Sequence, residues 1–152
     1  MTQSGLVVNE RRRKVREMRE ILFRGKLPDG EWVVGYIVKG RCAYIITYEN
    51  IHYMCVSVMG HASVDVLPVK PETIGQYTGL TDRNGKRIFE GDLVKGYNTF
   101  HHREERYIVC YKVIGFFFCE NENEWHPDHI EEMRVIGNVH DNPELIGGKE
   151  DG

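Results

Sequence analysis

The sequence predicts a β-dominated α+β protein built from short antiparallel strands. Three observations lead there. Runs rich in β-branched and aromatic residues arrive about every 8–12 residues, the spacing of small all-β folds. Clusters of Gly, Asn, Asp and Pro punctuate them. Residues 32–38 and 106–113 alternate with the period of two that a strand needs to present one face to a core.

In order, residues 21–23 read as a short strand, and Pro28-Asp29-Gly30 as a turn in which Pro sets φ and Gly permits the reversal. Trp32, Val34, Tyr36 and Val38 share one strand face, with Val33, Gly35 and Ile37 on the other, so both faces are apolar and the strand is central. Residues 43–48 and 52–58 read as a hairpin, and 64–69 as a strand that Pro68 confines to an edge. Pro71 opens a single helical turn. Beyond the central block come a strand at 93–97, a polar loop at 98–105 and a strand at 106–113. Then follow Phe116-Phe117-Phe118, an acidic loop at 120–124, a short helix at 127–133, a closing strand at 135–139 and a last helical turn at 143–145. Residues 147–152 are expected to fray.

The block 75–94, GQYTGLTDRNGKRIFEGDLV, specifies structure most densely. Asn84-Gly85 predicts a two-residue type I′ hairpin with positive φ at both positions. Gly91 predicts a turn conformation barred to most residues, and Asp82 and Asp92 suit turns in which a carboxylate accepts backbone N–H groups. The Glu90 to Val94 pattern resembles the turn into a strand of small SH3-like barrels.

Four segments carry a wider resemblance to the YopX family of small phage and prophage proteins. They are residues 18–38 (MREILFRGKLPDGEWVVGYIV), 70–94 (KPETIGQYTGLTDRNGKRIFEGDLV), 107–118 more loosely, and 135–146 (VIGNVHDNPELI). The positions that define the pattern are Gly75, Tyr77, Thr78, Gly79, Asn84, Gly85, Gly91, Asp92, Gly137, Asn138, Asn142 and Pro143. The resemblance implies a β-rich fold with an SH3-like barrel and no established activity, so it transfers no catalytic residue. The strand pattern and this resemblance together predict an antiparallel β lobe at 18–69 and an SH3-like barrel with short helices at 70–146. Residues 1–17, basic at Arg11-Arg12-Arg13-Lys14, are expected as a disordered or loosely helical extension, with a real basic arm or helix as the competing reading. They read as a start-site artefact, because adjacent arginines are what a purine-rich ribosome-binding site encodes in frame.

Composition bounds the function. With 152 residues and a formal net charge of −3, the chain has room for one domain or two small lobes and lacks the overall positive charge of a general nucleic-acid binder. No run is long and apolar enough to span a membrane as a helix, and no signal-peptide pattern is present, so the expected location is the cytoplasm of a bacterial host. There Cys42, Cys55, Cys110 and Cys119 are expected as free thiols. Sheet edges need either barrel closure or pairing with another chain, which makes a homo-oligomer one solution.

Seven histidines invite a test for metal. His101-His102, His126, His129 and His140, with Cys119, could supply ligands, but their spacings are not those of zinc sites, and neither metal nor cofactor is expected. Glu90 is the carboxylate that turn chemistry explains least. No Gly-x-Ser-x-Gly elbow, phosphate-binding loop, His-Glu-x-x-His or dinucleotide fingerprint occurs. The first functional reading is a non-enzymatic phage accessory module that binds a phage or host macromolecule. The second is nucleic-acid binding through the hairpin at 82–87, using Arg83, Lys86, Arg87 and Lys95 with Tyr77 and Tyr97 as stacking groups, and Phe100, Arg103 and Arg106 nearby. The third is a nuclease-like hydrolase, which would need a cleft gathering Glu90, Asp92 and a histidine.

Overall fold

The computed structural model of the chain describes residues 19–39, 42–47 and 66–146. The basic extension, the expected strand at 52–58 and the C-terminal tail lie outside them. Eleven strands are described: β1 (Phe23–Lys26), β2 (Trp32–Lys39), β3 (Ala43–Thr47), β4 (Val66–Pro68), β5 (Gly75–Thr81), β6 (Arg87–Phe89), β7 (Asp92–Asn98), β8 (Arg103–Lys112), β9 (Gly115–Glu120), β10 (Asn123–Trp125) and β11 (Ile130–Asn138). They form two antiparallel sheets, β4-β3-β2-β1-β5-β6 and β10-β9-β8-β7-β11. The first sheet takes strands from both sides of residue 70.

The fold is mainly β, as the strand periodicity predicts, but the two sheets do not close into a barrel. The short β6 leaves the ladder after three residues, and Asp92 starts β7 in the other sheet. Closure is replaced by stitching. Gly91 N–H donates to Val109 O (2.8 Å), Val139 N–H to Gly91 O (2.9 Å) and Arg83 N–H to Met133 O (2.9 Å). The main core, Ile88, Val94, Tyr107, Val109, Phe118 and Ile130, joins β6 to the inner face of the second sheet. A second cluster, Leu22, Tyr77 and Phe89, and a third, Ala43, Ile45 and Val69, lie under the first sheet. As expected, β2 is central and β4, with Pro68, is an edge.

Four local expectations are corrected. The helix at 127–133 is one 3₁₀ turn, Pro127–His129. Ile130 then pairs with Asn98 and is buried, so tertiary pairing recruits the rest to β11. The polar loop at 98–105 shrinks to a tight turn because the buried Asn98 side chain accepts from Phe100 N–H (2.8 Å) and His101 N–H (3.0 Å). The acidic loop at 120–124 is a turn through Asn121 (φ 52°), leading to β10. At Asn84-Gly85 only Gly85 is left-handed (φ 79°). Gly85 N–H donates to Asp82 O (2.9 Å) and Asp82 N–H to Lys86 O (2.8 Å), a three-residue loop and not a type I′ turn.

Candidate functional site: an aromatic and ionic cleft

A cleft of about 860 Å³ opens where the end of the second sheet meets β1, β2, β5 and β6 of the first. Its floor follows from one turn. Gly91 (φ 84°) reverses the chain between β6 and β7, and Asp92, almost fully buried, accepts from Phe89 N–H through Oδ2 (2.8 Å). The other oxygen of Asp92 lies 2.6 Å from Arg24 Nη1. Burial pushes the Asp92 carboxyl above its ordinary range, against the pull of Arg24 and the Phe89 N–H. The Arg24 guanidinium also donates to Glu90 O (3.3 Å). It lies over the Trp32 and Phe89 rings, 4.8 and 5.0 Å from their centroids, within the reach of cation–π attraction.

The walls are aromatic and the rim is ionic. Tyr77 packs on Phe89 (5.6 Å) and carries the Arg87 guanidinium over its ring (5.6 Å). Arg87 in turn pairs with Glu20 (3.0 Å). On the opposite side Asp141 accepts from Trp32 Nε1 (2.7 Å) and Asn138 Nδ2 (3.0 Å) and pairs with Lys26. The hydrogen bonds from Lys26, Asn138 and Trp32 hold the Asp141 carboxyl far below the usual carboxylate range. His140 lies against Trp32 (5.8 Å), and burial, with Arg24 and Lys26 nearby, lowers its pKa.

The proposed binding residues divide. Tyr77, Lys86 and Arg87 line the cleft, although Tyr77 is buried and presents little ring surface. Arg83 turns toward Glu132 of β11 (3.3 Å). Lys95 and Tyr97 sit on β7 in the second sheet, Lys95 paired with Glu104 (3.0 Å) and Tyr97 opposite Glu104 and Glu131. Phe100 is largely exposed beside Trp125, and Arg103 pairs with Glu105 (2.6 Å). Arg106 lies opposite Lys95 on β8.

The pattern positions hold the frame. A Cβ on Gly75 would meet Glu90 O at 2.5 Å, and one on Gly137 would collide with the Asn142 side chain. Gly79 is left-handed (φ 89°), and Thr78 Oγ1 donates to Ile88 O (2.8 Å). Asn138 Oδ1 accepts from His140 N–H (3.0 Å) and Asp141 N–H (2.9 Å), and Pro143 opens the last 3₁₀ turn after Asn142. Arg24, Trp32 and Asp141 line the cleft but do not stand out in the sequence as binding residues. They lie in the first and last family-like segments, but 109 residues separate Trp32 from Asp141, and only the folded sheets bring them together.

Among the metal candidates, His126 caps its own 3₁₀ turn, His129 packs on Trp125, and His102 is an exposed left-handed turn residue. Among the described residues His101 joins two other donors, Glu105 and Glu120, in one group. Cys119 is not a free thiol. It is bonded to Cys110, because the β8–β9 register sets the two diagonally across the ladder with Cα atoms 6.4 Å apart. Cys42 is free and exposed.

Fold and cleft together define a small protein of two open antiparallel sheets with a partly aromatic, charge-paired recess at their seam. The chain belongs to the YopX family: the family model, described as YopX protein, matches residues 27–147. A solved structure, the crystal structure of protein EF1440 from Enterococcus faecalis, is similar in fold. Its TM-score is 0.50 at 22% identity, over 83% of this chain and 97% of that one. No curated protein matches the chain significantly. No helix among the described residues is long and apolar enough to cross a membrane.

Proposed function

We propose that this YopX-family protein is a non-enzymatic phage or prophage accessory module, acting in the cytoplasm of a bacterial host, that holds a segment of a phage or host protein in the cleft. One observation carries the reading. The charged groups Arg24, Lys26 and Arg87 are each matched to a carboxylate, Asp92, Asp141 and Glu20, around exposed parts of Trp32 and Thr81. Such a surface offers shape, aromatic area and paired charge, the makings of recognition. Its carboxylates are engaged: Asp92 by Arg24 and the Phe89 N–H, Asp141 by Lys26, Trp32 and Asn138, and Glu20 by Arg87.

The nucleic-acid reading is second. Lys86 and Arg87 at the cleft mouth favour it, while the pairing of Arg83, Arg87 and Lys95 with Glu132, Glu20 and Glu104 opposes it. Affinity capture from phage-infected host lysate, with and without nuclease, separates the two. A stoichiometric protein partner that survives nuclease, and is lost with Trp32→Ala, is the expected result. Recovery that depends on intact nucleic acid and weakens steeply with salt would put the second reading first.

A further inference from the structure

Away from the cleft, a second polar cluster lies at the end of the second sheet where the β7–β8 and β9–β10 turns meet. One donor atom each from His101, Glu105 and Glu120 falls within 4.8 Å of the others. Three local features assemble them. The Asn98 side chain and the left-handed His102 fold the turn so that His101 Nδ1 lies 2.9 Å from Glu105 Oε1. Tyr107, held by Asn98 Nδ2 (3.0 Å), donates its hydroxyl to Glu105 Oε2 (2.7 Å) and fixes the buried carboxylate. The β8–β9 register, with Ile108 opposite Cys119, brings Glu120 beside Tyr107 on the same face.

A cation already occupies this seat. Arg103 Nε donates to Glu105 Oε1 at 2.6 Å while two thirds of the Arg103 side chain stays in solvent. Two carboxylates and one guanidinium leave the cluster with a net charge of −1 when the imidazole is neutral. A divalent ion in place of the guanidinium would bring it to zero.

We propose that His101, Glu105 and Glu120 form a binding site for a divalent first-row transition ion, with Arg103 as the resident cation that the ion displaces. One imidazole nitrogen and two carboxylate oxygens suit manganese to zinc and disfavour calcium, which prefers oxygen alone. Tyr107 acts as the outer partner that orients the Glu105 ligand. Trp125, edge-on to His101 at 4.7 Å, walls one side of the ring.

The test is calorimetric titration of the full chain with zinc ions, and separately with calcium ions. One zinc per chain is expected, with calcium far weaker. Glu120→Gln should weaken zinc binding at least about tenfold, since losing even outer partners of a metal site costs that much. Arg103→Gln should tighten it severalfold, because the competing cation is gone. A purely structural His–Glu–Arg network gives no zinc binding, and adventitious capture by the other histidines gives binding that neither variant changes; either result overturns the proposal. Equal affinity for calcium would also overturn it. Glu120 is only partly buried at a strand end, so this variant should keep the fold and decide the question even where His101→Ala does not.

Discussion

Asp92 shows how one side chain serves both fold and cleft. It ties the β6–β7 turn and supplies the counter-charge for the buried Arg24. Asp92→Ala leaves that guanidinium uncompensated, and removing one partner of a buried pair costs about 3–5 kcal/mol; urea denaturation should register a loss of this order, while Arg87→Ala on the rim should cost less than about 1 kcal/mol. Gly75→Ala tests a second position, since a new methyl group would press on Glu90 O. It should lower stability by about 1–3 kcal/mol, the range for overpacking, as a shifted thermal midpoint would show. Tyr107→Phe removes the hydroxyl that donates to Glu105 and accepts from Asn98 Nδ2. Orphaned buried polar groups cost about 1–3 kcal/mol, and the midpoint should fall accordingly.

Among the elements, turn chemistry explains what was legible in the sequence and what was not. Gly91 and the central position of β2 could be read locally, because glycine permissiveness and two apolar faces are properties of a few adjacent residues. The 127–133 segment could not. It carries a proline start and a mixed pattern, and only the partner strand β7 makes β11 of it, with bulges between Glu131 and Arg134 and between Val135 and Gly137. Asp82 combines the two cases. Its bonds to Asn84 and Lys86 follow from turn chemistry, whereas its bond to Val135 N–H (3.0 Å) staples the hairpin to the other sheet. The edges are protected without closure. β4, β6 and β10 are three residues long, and β11 carries bulges and the exposed Glu131 and Glu132, features that discourage strand addition.

At the level of the whole molecule, ionic pairing between segments far apart in sequence sets the pH response. Asp141 joins the β11 end to β1 and β2, and its carboxyl is held below the usual range. A carboxyl depressed in the folded state contributes stability above its unfolded pKa, roughly 4, and loses that contribution as pH falls. Denaturation at pH 7 should therefore find Asp141→Asn less stable than the wild type, and the gap should narrow as the pH drops below roughly 4. The cleft itself was only half legible. The hairpin side, Lys86 and Arg87, stood out as basic residues beside a turn, but Arg24, Trp32 and Asp141 meet only through long-range pairing. The measurement that bears most directly on the cleft as a recognition site is capture from infected lysate by the wild type and by Thr81→Arg, which fills the exposed cleft wall without touching Arg24 or Asp92. Loss of the captured partner with an unchanged thermal midpoint is the predicted result; undiminished capture by the filled cleft would contradict the account.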